Sequence, residues 1–307
     1  MRAAPVPPLP TLHGVGPSCF VLPAGGYASI VECLCARFAA VSRDEWARRL
    51  TAGEVVDEHG ARVTPERPHR PGLRVYYYRR VAFEPRVPYD EFVVFQDAHV
   101  VVADKPHFLA VTPAGRHLNE TLLVRLKRRL GIDTLAPVHR IDRETAGLVL
   151  FSVDPATRGR YQRLFAERRV VKSYECIAPW RPGLPRDYAC RLADDPAHFM
   201  RMREVEGPPN TATRIELLQR RDQLARYALW PATGKRHQLR AHAAALGIPI
   251  VGDRIYPTLL PADTDDPANP LRLLARSLAF DDPVTGTARC FRTTRTLAWP
   301  NAVTGPA

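Results

Sequence analysis

Residues 139–151 read HRIDRETAGLVLF. One histidine, two arginines and two carboxylates, Asp142 and Glu144, stand immediately before an apolar run from Gly147 to Phe151. Such a run predicts a strand covered on both faces. A charged turn at the mouth of a core strand is a place where reacting groups can be held rigidly. Asp142 lies between Arg140 and Arg143, so it is expected to stay ionised at neutral pH and to act as a nucleophile or as a stabiliser of positive charge, not as a general acid. On a strand, Glu144 would share its face at about 7 Å, a separation that overlaps the carboxylate spacing of inverting glycosidases. A glycoside hydrolase is therefore one alternative, weakened by two arginines that leave neither carboxyl suited to donate a proton. A solvated ion-pair cluster is the reading without chemistry.

A second cluster follows in TGKRHQLRAHAAALG, residues 233–247. Its spacing predicts a helix over 235–247, with Leu239, Ala243 and Leu246 on the apolar face, Arg236 and Arg240 together on another, and Gly247 at the end. His237 and His242 are five apart and off-register, so no metal site is expected. Lys235 and Arg236 would stand at the helix N-terminus, where free N–H groups also attract anions.

The elements that must position these groups are legible around them. FVVFQDAHVVVADKP (92–106) predicts two strands about a tight turn, and AGLVLFSVD a strand. DPATRGRYQRLFAERRV predicts a helix with Asp154 as N-cap and Pro155 at its first position. Strands are predicted over 170–180 and 225–233 and in IPIVGDRIYP, and a helix over 119–131 capped by Asn119. Strands and helices mix without strict alternation. The fold class is α+β, with a mixed, largely antiparallel central sheet and flanking helices. Ahead of it, residues 1–25 read as an irregular lead rich in proline and glycine. Residues 26–85 read as a small α/β domain with helices over 28–39 and 42–50, the second capped by Ser42, then strands including RVYYYRRV. The main domain spans 86–307.

The 307-residue chain carries a net charge of +12, which suits a polyanionic partner. Only four of its 44 basic residues are lysines, Lys105, Lys127, Lys172 and Lys235, so arginine abundance follows composition and the surplus of positive charge is the better signal. Arg37, Arg43, Arg48, Arg49 and Arg62 fall close together in the small domain. The six cysteines lack disulfide-framework spacing and read as reduced. No apolar run is long enough to span a membrane, and the start lacks the apolar segment of a secretory signal. A cytoplasmic monomer is expected.

HRIDRETAGL resembles the signature H-R-[LI]-D-x-x-[TS]-[SA]-G-L of the RluA-type pseudouridine synthases, which modify uridine in ribosomal and transfer RNA. Three further blocks match in order: VVADKP (101–106), KSYEC (172–176) and TGKRHQLRAHAAALGIPIVGDRIY. The resemblance covers roughly 92–280. Lys235 stands where the family has arginine, and Leu274 at a family histidine position. The resemblance implies uridine-to-pseudouridine isomerisation on an extruded base, without cofactor or metal. It implies catalytic roles for Asp142, for Tyr174 stacked on the uracil, and for Arg240 paired with Asp142. It implies RNA contacts for His139, Arg140, Arg143, Lys172, Lys235, Arg236 and His237. Residues 28–80 are similar to a small RNA-binding domain that often precedes such catalytic domains. A catalytically idle RNA-binding relative is the other alternative.

Overall fold

The computed structural model describes residues 8–261 and 265–300. The expectations for 1–7 and 301–307 lie outside the described residues. The chain forms two compact units.

The first unit comprises the chain up to Pro85 with Pro113–Asn119 and Val124–Asp133. It contains β1 (Ser18–Val21), α1 (Ile30–Arg37), α2 (Arg43–Thr51), β2 (Val55–Asp57) and β3 (Arg74–Tyr77), with the strands in the antiparallel order β1-β3-β2. Ser29 and Ser42 cap the two helices by accepting the N–H groups of Glu32 and Glu45. Ile30, Leu34, Trp46, Leu50 and Val75 close its core, each burial favouring the fold by about 1.5–3 kcal/mol. The irregular lead expected over 1–25 is corrected at β1, which pairs with β3 over four rungs. The arginine cluster is also partly spent. Arg48 pairs with Glu45 and Glu54, and Arg49 is buried on Glu45.

The second unit holds most of the remaining chain: β4 (Phe92–Gln96), β5 (Val100–Lys105), β6 (Ala136–Pro137), β7 (Ala146–Ser152), α4 (Pro155–Ala166), β8 (Val171–Pro179), β9 (Asp187–Asp194), β10 (Met202–Val205), β11 (Thr211–Arg221), β12 (Leu224–Pro231), α5 (Gln238–Ala245), β13 (Leu273–Asp281) and β14 (Ala288–Arg292). Between β5 and β6 runs α3 (Leu122–Leu130), whose residues are divided between the units. The sheet runs β10-β9-β11-β12-β8-β13-β7-β5-β4, with β14 beside β13 and β6 beside β7. Every pairing is antiparallel except β7 with β13, where only Ala146 and Gly147 meet Leu274 and Ala275. This two-rung seam joins two antiparallel leaves.

Gly147 makes the seam possible. Its φ is +110°, and a Cβ there would lie 2.2 Å from the Ala275 carbonyl oxygen, so no side chain fits. The apolar run after it is buried at every position from Ala146 to Ser152. Leu148 and Leu150 pack with Tyr161 and Leu164 of α4 and with Val100 and Val102 of β5.

Four expectations about elements change. The helix placed over 119–131 begins at Leu122, and the Asn119 side chain instead accepts from Arg128. The helix placed over 235–247 begins at Gln238, with His237 as its left-handed N-cap. IPIVGDRIYP is irregular, because its backbone bonds go to single partners such as the Ile177 carbonyl. Strands β9, β10 and β11 were not anticipated, since much of their length faces solvent and carries little apolar alternation.

Candidate active site

The turn before β7 is held by groups at the end of β5 and just beyond it. Lys105 pairs across the ladder with Gly147, and its side chain is wholly enclosed. Its Nζ donates to the carbonyls of Pro106 at 3.0 Å and Arg143 at 2.9 Å. Burial pulls the Lys105 ammonium down to about 7, against the pull of Glu144 and Asp142. His107 Nδ1 lies 2.6 Å from the Glu144 carbonyl. A carbonyl only accepts, so Nδ1 carries the proton, and burial pulls this imidazole to about 4. Two backbone carbonyls of the turn are thus fixed, and Thr145 N–H closes it on the Asp142 carbonyl at 3.2 Å. Asp142 and Glu144 precede β7 and do not lie on a strand, so the 7 Å same-face spacing expected for them does not apply.

Arg240 reaches this turn from α5. Its Nη1 donates to Asp142 Oδ2 at 3.3 Å and lies 3.6 Å from Glu144 Oε2. Its Nε and Nη2 donate to Asp253 at 2.8 and 2.7 Å. Burial alone would lower the guanidinium, but Asp253, with Asp142 and Glu144, outweighs it and holds the charge above the ordinary arginine range. Both carboxylates of the turn therefore face one cation. His237, at φ +51°, sets its Nε2 3.9 Å from Asp142 Oδ1, and its ring meets Tyr256 edge-on. Burial lowers this imidazole, which the Asp142 charge partly opposes. Tyr174, on β8 in register with Ala275 of β13, is half-buried. Its phenol is pushed up by burial and then by the charge of Asp142. Asp142 itself keeps 24% of its side chain exposed, so the carboxylate at the centre of the cluster is also reachable.

The structure brings Asp142, Glu144, His237 and Arg240 together and sets Tyr174 within the influence of the Asp142 charge. It disperses others. Arg140 and Lys235 are exposed. Arg236 lies before α5 rather than on it, and pairs with Asp194 at 2.7 Å, so it does not share a helix face with Arg240. His139 packs within the fold: its Nε2 accepts the Leu150 N–H at 3.1 Å and its ring stacks on Phe165. Lys172 donates to the Thr233 carbonyl at 3.3 Å. Arg143 is gripped by Glu144 and by Asp265, the latter through two bonds. Lys105, His107 and Asp253 had no assigned role in the sequence. Lys105 and Asp253 had only their membership of the ordered blocks as a signal, and His107, one residue past VVADKP, had none; the turn that Lys105 and His107 hold lies 38 and 37 positions away.

The family model for RNA pseudouridylate synthase matches residues 99–245. An uncharacterized RNA pseudouridine synthase of Synechocystis is 30% identical over 227 residues, covering 72% of this chain and 76% of that protein. The dual-specificity RNA pseudouridine synthase RluA of Haemophilus influenzae is 32% identical over 216 residues, covering 67% of this chain and 94% of its own. Among solved structures, human RNA pseudouridylate synthase domain containing 4 aligns with a TM-score of 0.52 and 25% identity over 66% of this chain and 87% of that one. Human RNA pseudouridylate synthase domain containing 1 shares the fold with a TM-score of 0.55 at 22% identity, over 69% and 86%.

Proposed function

The chain belongs to the RluA-type RNA pseudouridine synthase family, enzymes that isomerise uridine in RNA, and from that premise we propose that it acts on ribosomal or transfer RNA with Asp142 as the reacting carboxylate. The observation that carries the reading is the geometry at Asp142: a reachable carboxylate at the mouth of a core strand, aimed by a fully buried guanidinium.

The reaction breaks the bond between uracil N1 and the sugar C1′, turns the base, and joins C5 to C1′, with the C5 proton lost and N1 protonated. Atoms balance without a redox partner or an energy source. The Asp142 carboxylate attacks C1′ or stabilises the sugar cation as the base departs. Arg240 keeps that carboxylate oriented. The uridine must leave its stack, and the Tyr174 ring offers a face for the extruded base. Arg140 and Lys235, both exposed, contact the RNA backbone. The first unit adds binding through Arg37, Arg43 and Arg62, which are exposed. The protein works as a cytoplasmic monomer without cofactor.

The test is pseudouridine mapping after incubation of ribosomal and transfer RNA with the wild type and with Asp142→Asn. Site-specific pseudouridine from the wild type and none from the variant is the expected result. No product from the wild type on either RNA class would refute the substrate assignment, and an active Asp142→Asn the role of Asp142. An RNA that binds without being modified would favour the idle relative.

A further inference from the structure

We propose that Asp253 is a positioning residue for the reaction: it aims Arg240 at Asp142. The proposal rests on the reading of Asp142 as the reacting carboxylate. A guanidinium presents its five N–H donors in one plane. Arg240 commits one edge, Nε and Nη2, to the two oxygens of Asp253, a fork-on-fork pairing that fixes orientation as well as charge. With that edge fixed, the Nη1 donors have one direction left, toward Asp142 and Glu144.

Asp253 cannot turn with its partner. Its Oδ1 also accepts the backbone N–H groups of Ile255 at 2.8 Å and Tyr256 at 3.0 Å, and its side chain is 0% exposed. The residue before it is forced: Gly252 has φ +78°, and a Cβ there would lie 2.4 Å from the Pro270 carbonyl oxygen. The two contacts of Arg240 are unequal. The bonds to Asp253 are shorter and enclosed, whereas the bond to Asp142 is longer and ends on a partly exposed carboxylate. Arg240 is therefore ordered by Asp253 whether or not Asp142 engages it. When Asp142 shifts toward a sugar, the guanidinium stays in place.

Two measurements test this. In NMR spectra of the full-length protein, the Arg240 Nε–H should be protected from water exchange in the wild type and in Asp142→Asn, and lose protection in Asp253→Asn. On an RNA that the wild type modifies, Asp253→Asn should lower kcat by about 10²-fold, as misplaced catalytic groups do, with KM and RNA affinity within roughly twofold. In an Arg240→Ala background the same substitution should cause no further loss, because its effect passes through Arg240. Asparagine keeps the Oδ1 that the two amides need. Should the variant still fail to fold, Arg240→Lys beside an intact Asp253 keeps the charge and loses the fork, and should show the same fall in kcat. Full kcat in Asp253→Asn or Arg240→Lys overturns the proposal. So does an Arg240 signal that stays protected without Asp253, or that depends on Asp142. A wild type that modifies no RNA would refute the functional reading instead, and the NMR comparison would still decide the clamp.

Discussion

Two ionic networks cross the seam between β7 and β13, one near each end of β13. Beyond its C-terminal end, Asp282 accepts the Tyr161 hydroxyl of α4 at 3.0 Å and the N–H groups of Val284 and Thr285. Arg289 of β14 joins Asp282 at 3.3 Å to Asp97 at 2.9 Å. Near its start, the chain Asp253–Arg240–Asp142 makes the other crossing. Both put buried charges in a core, where each ion needs a partner. They differ in how they end. Each has one enclosed aspartate, Asp282 or Asp253, and one partly exposed aspartate, Asp97 or Asp142, but Asp97 is fastened by Arg289 at 2.9 Å and by the N–H groups of His99 and Val100 at 2.8 Å, whereas Asp142 is held by Arg240 at 3.3 Å. A network fastened at both ends contributes stability and specifies the pairing of the leaves. A network with one loosely held carboxylate leaves a group free for the role proposed above.

The sharpest way to break this contrast is to remove the charge from one aspartate of each network. Asp142→Asn should cut turnover by at least about 10³-fold while leaving the melting temperature and RNA affinity unchanged. Asp282→Asn should do the reverse, sparing kcat and costing about 2–4 kcal/mol in denaturant unfolding. Burial opposes the Asp282 charge, but the N–H groups of Val284 and Thr285 hold its carboxyl below the usual range. Its contribution is therefore present above the unfolded carboxylate pKa of about 3.9 and lost as pH falls below it, so the deficit of Asp282→Asn should close in acid. Equal effects of the two substitutions on kcat would erase the distinction.

Lys105→Met should fall between the two. It strips a donor from two buried carbonyls, at about 1–3 kcal/mol each, and loosens the turn, so both stability and kcat should drop. The pH dependence sharpens the case. The folded ammonium sits at about 7 against an ordinary value of 10.5, so between those limits the unfolded chain binds more protons and stability rises with pH. Unfolding free energies measured from pH 7 to 10 should show that slope in the wild type and a flatter one in the variant. Parallel curves would mean that Lys105 titrates normally.

Glu144→Gln should change kcat by less than about tenfold, since Asp142 keeps its bond to Arg240. A loss as deep as that of Asp142→Asn would instead require two working carboxylates. The smallest effect belongs to the exposed cations. Lys235→Ala should leave kcat alone and reduce the log–log salt slope of RNA binding by about 0.7, the value for one phosphate contact on a single strand. An unchanged slope would remove Lys235 from the RNA interface.

Local pattern made much of the scaffold legible. The apolar run at Gly147–Phe151, the Asp154–Pro155 start of α4 and the Ser42 cap of α2 all depend on residues a few positions apart, and they stand where the sequence put them. The start of α5 was misplaced because a helix N-terminus in a left-handed histidine leaves no Ser, Thr, Asp or Asn signal. The partners of the Asp142 turn were invisible for a different reason. Lys105 meets the Arg143 carbonyl across 38 positions, and no local spacing encodes that. Resemblance pointed to Asp142 and Arg240, but that Arg240 is shared with Asp253 is a fact of packing. Nor does local pattern show which residues between 113 and 133 join the first unit. Residues 113–119 and 124–133 belong to the first unit, where Leu118 and Val124 bury with Val15 and the Leu118 and Asn119 amides bond to Glu84.

The distance along the chain between Asp142 and Arg240, 98 residues, also sets when the enzyme can first act. Chains emerge from the ribosome N-terminus first and fold as they emerge. A nascent chain that has released Asp142 carries the turn without its guanidinium, and Asp253 follows Arg240 by another 13 positions. Surrounded by RNA throughout its synthesis, the protein holds an unarmed carboxylate until most of its length has been translated.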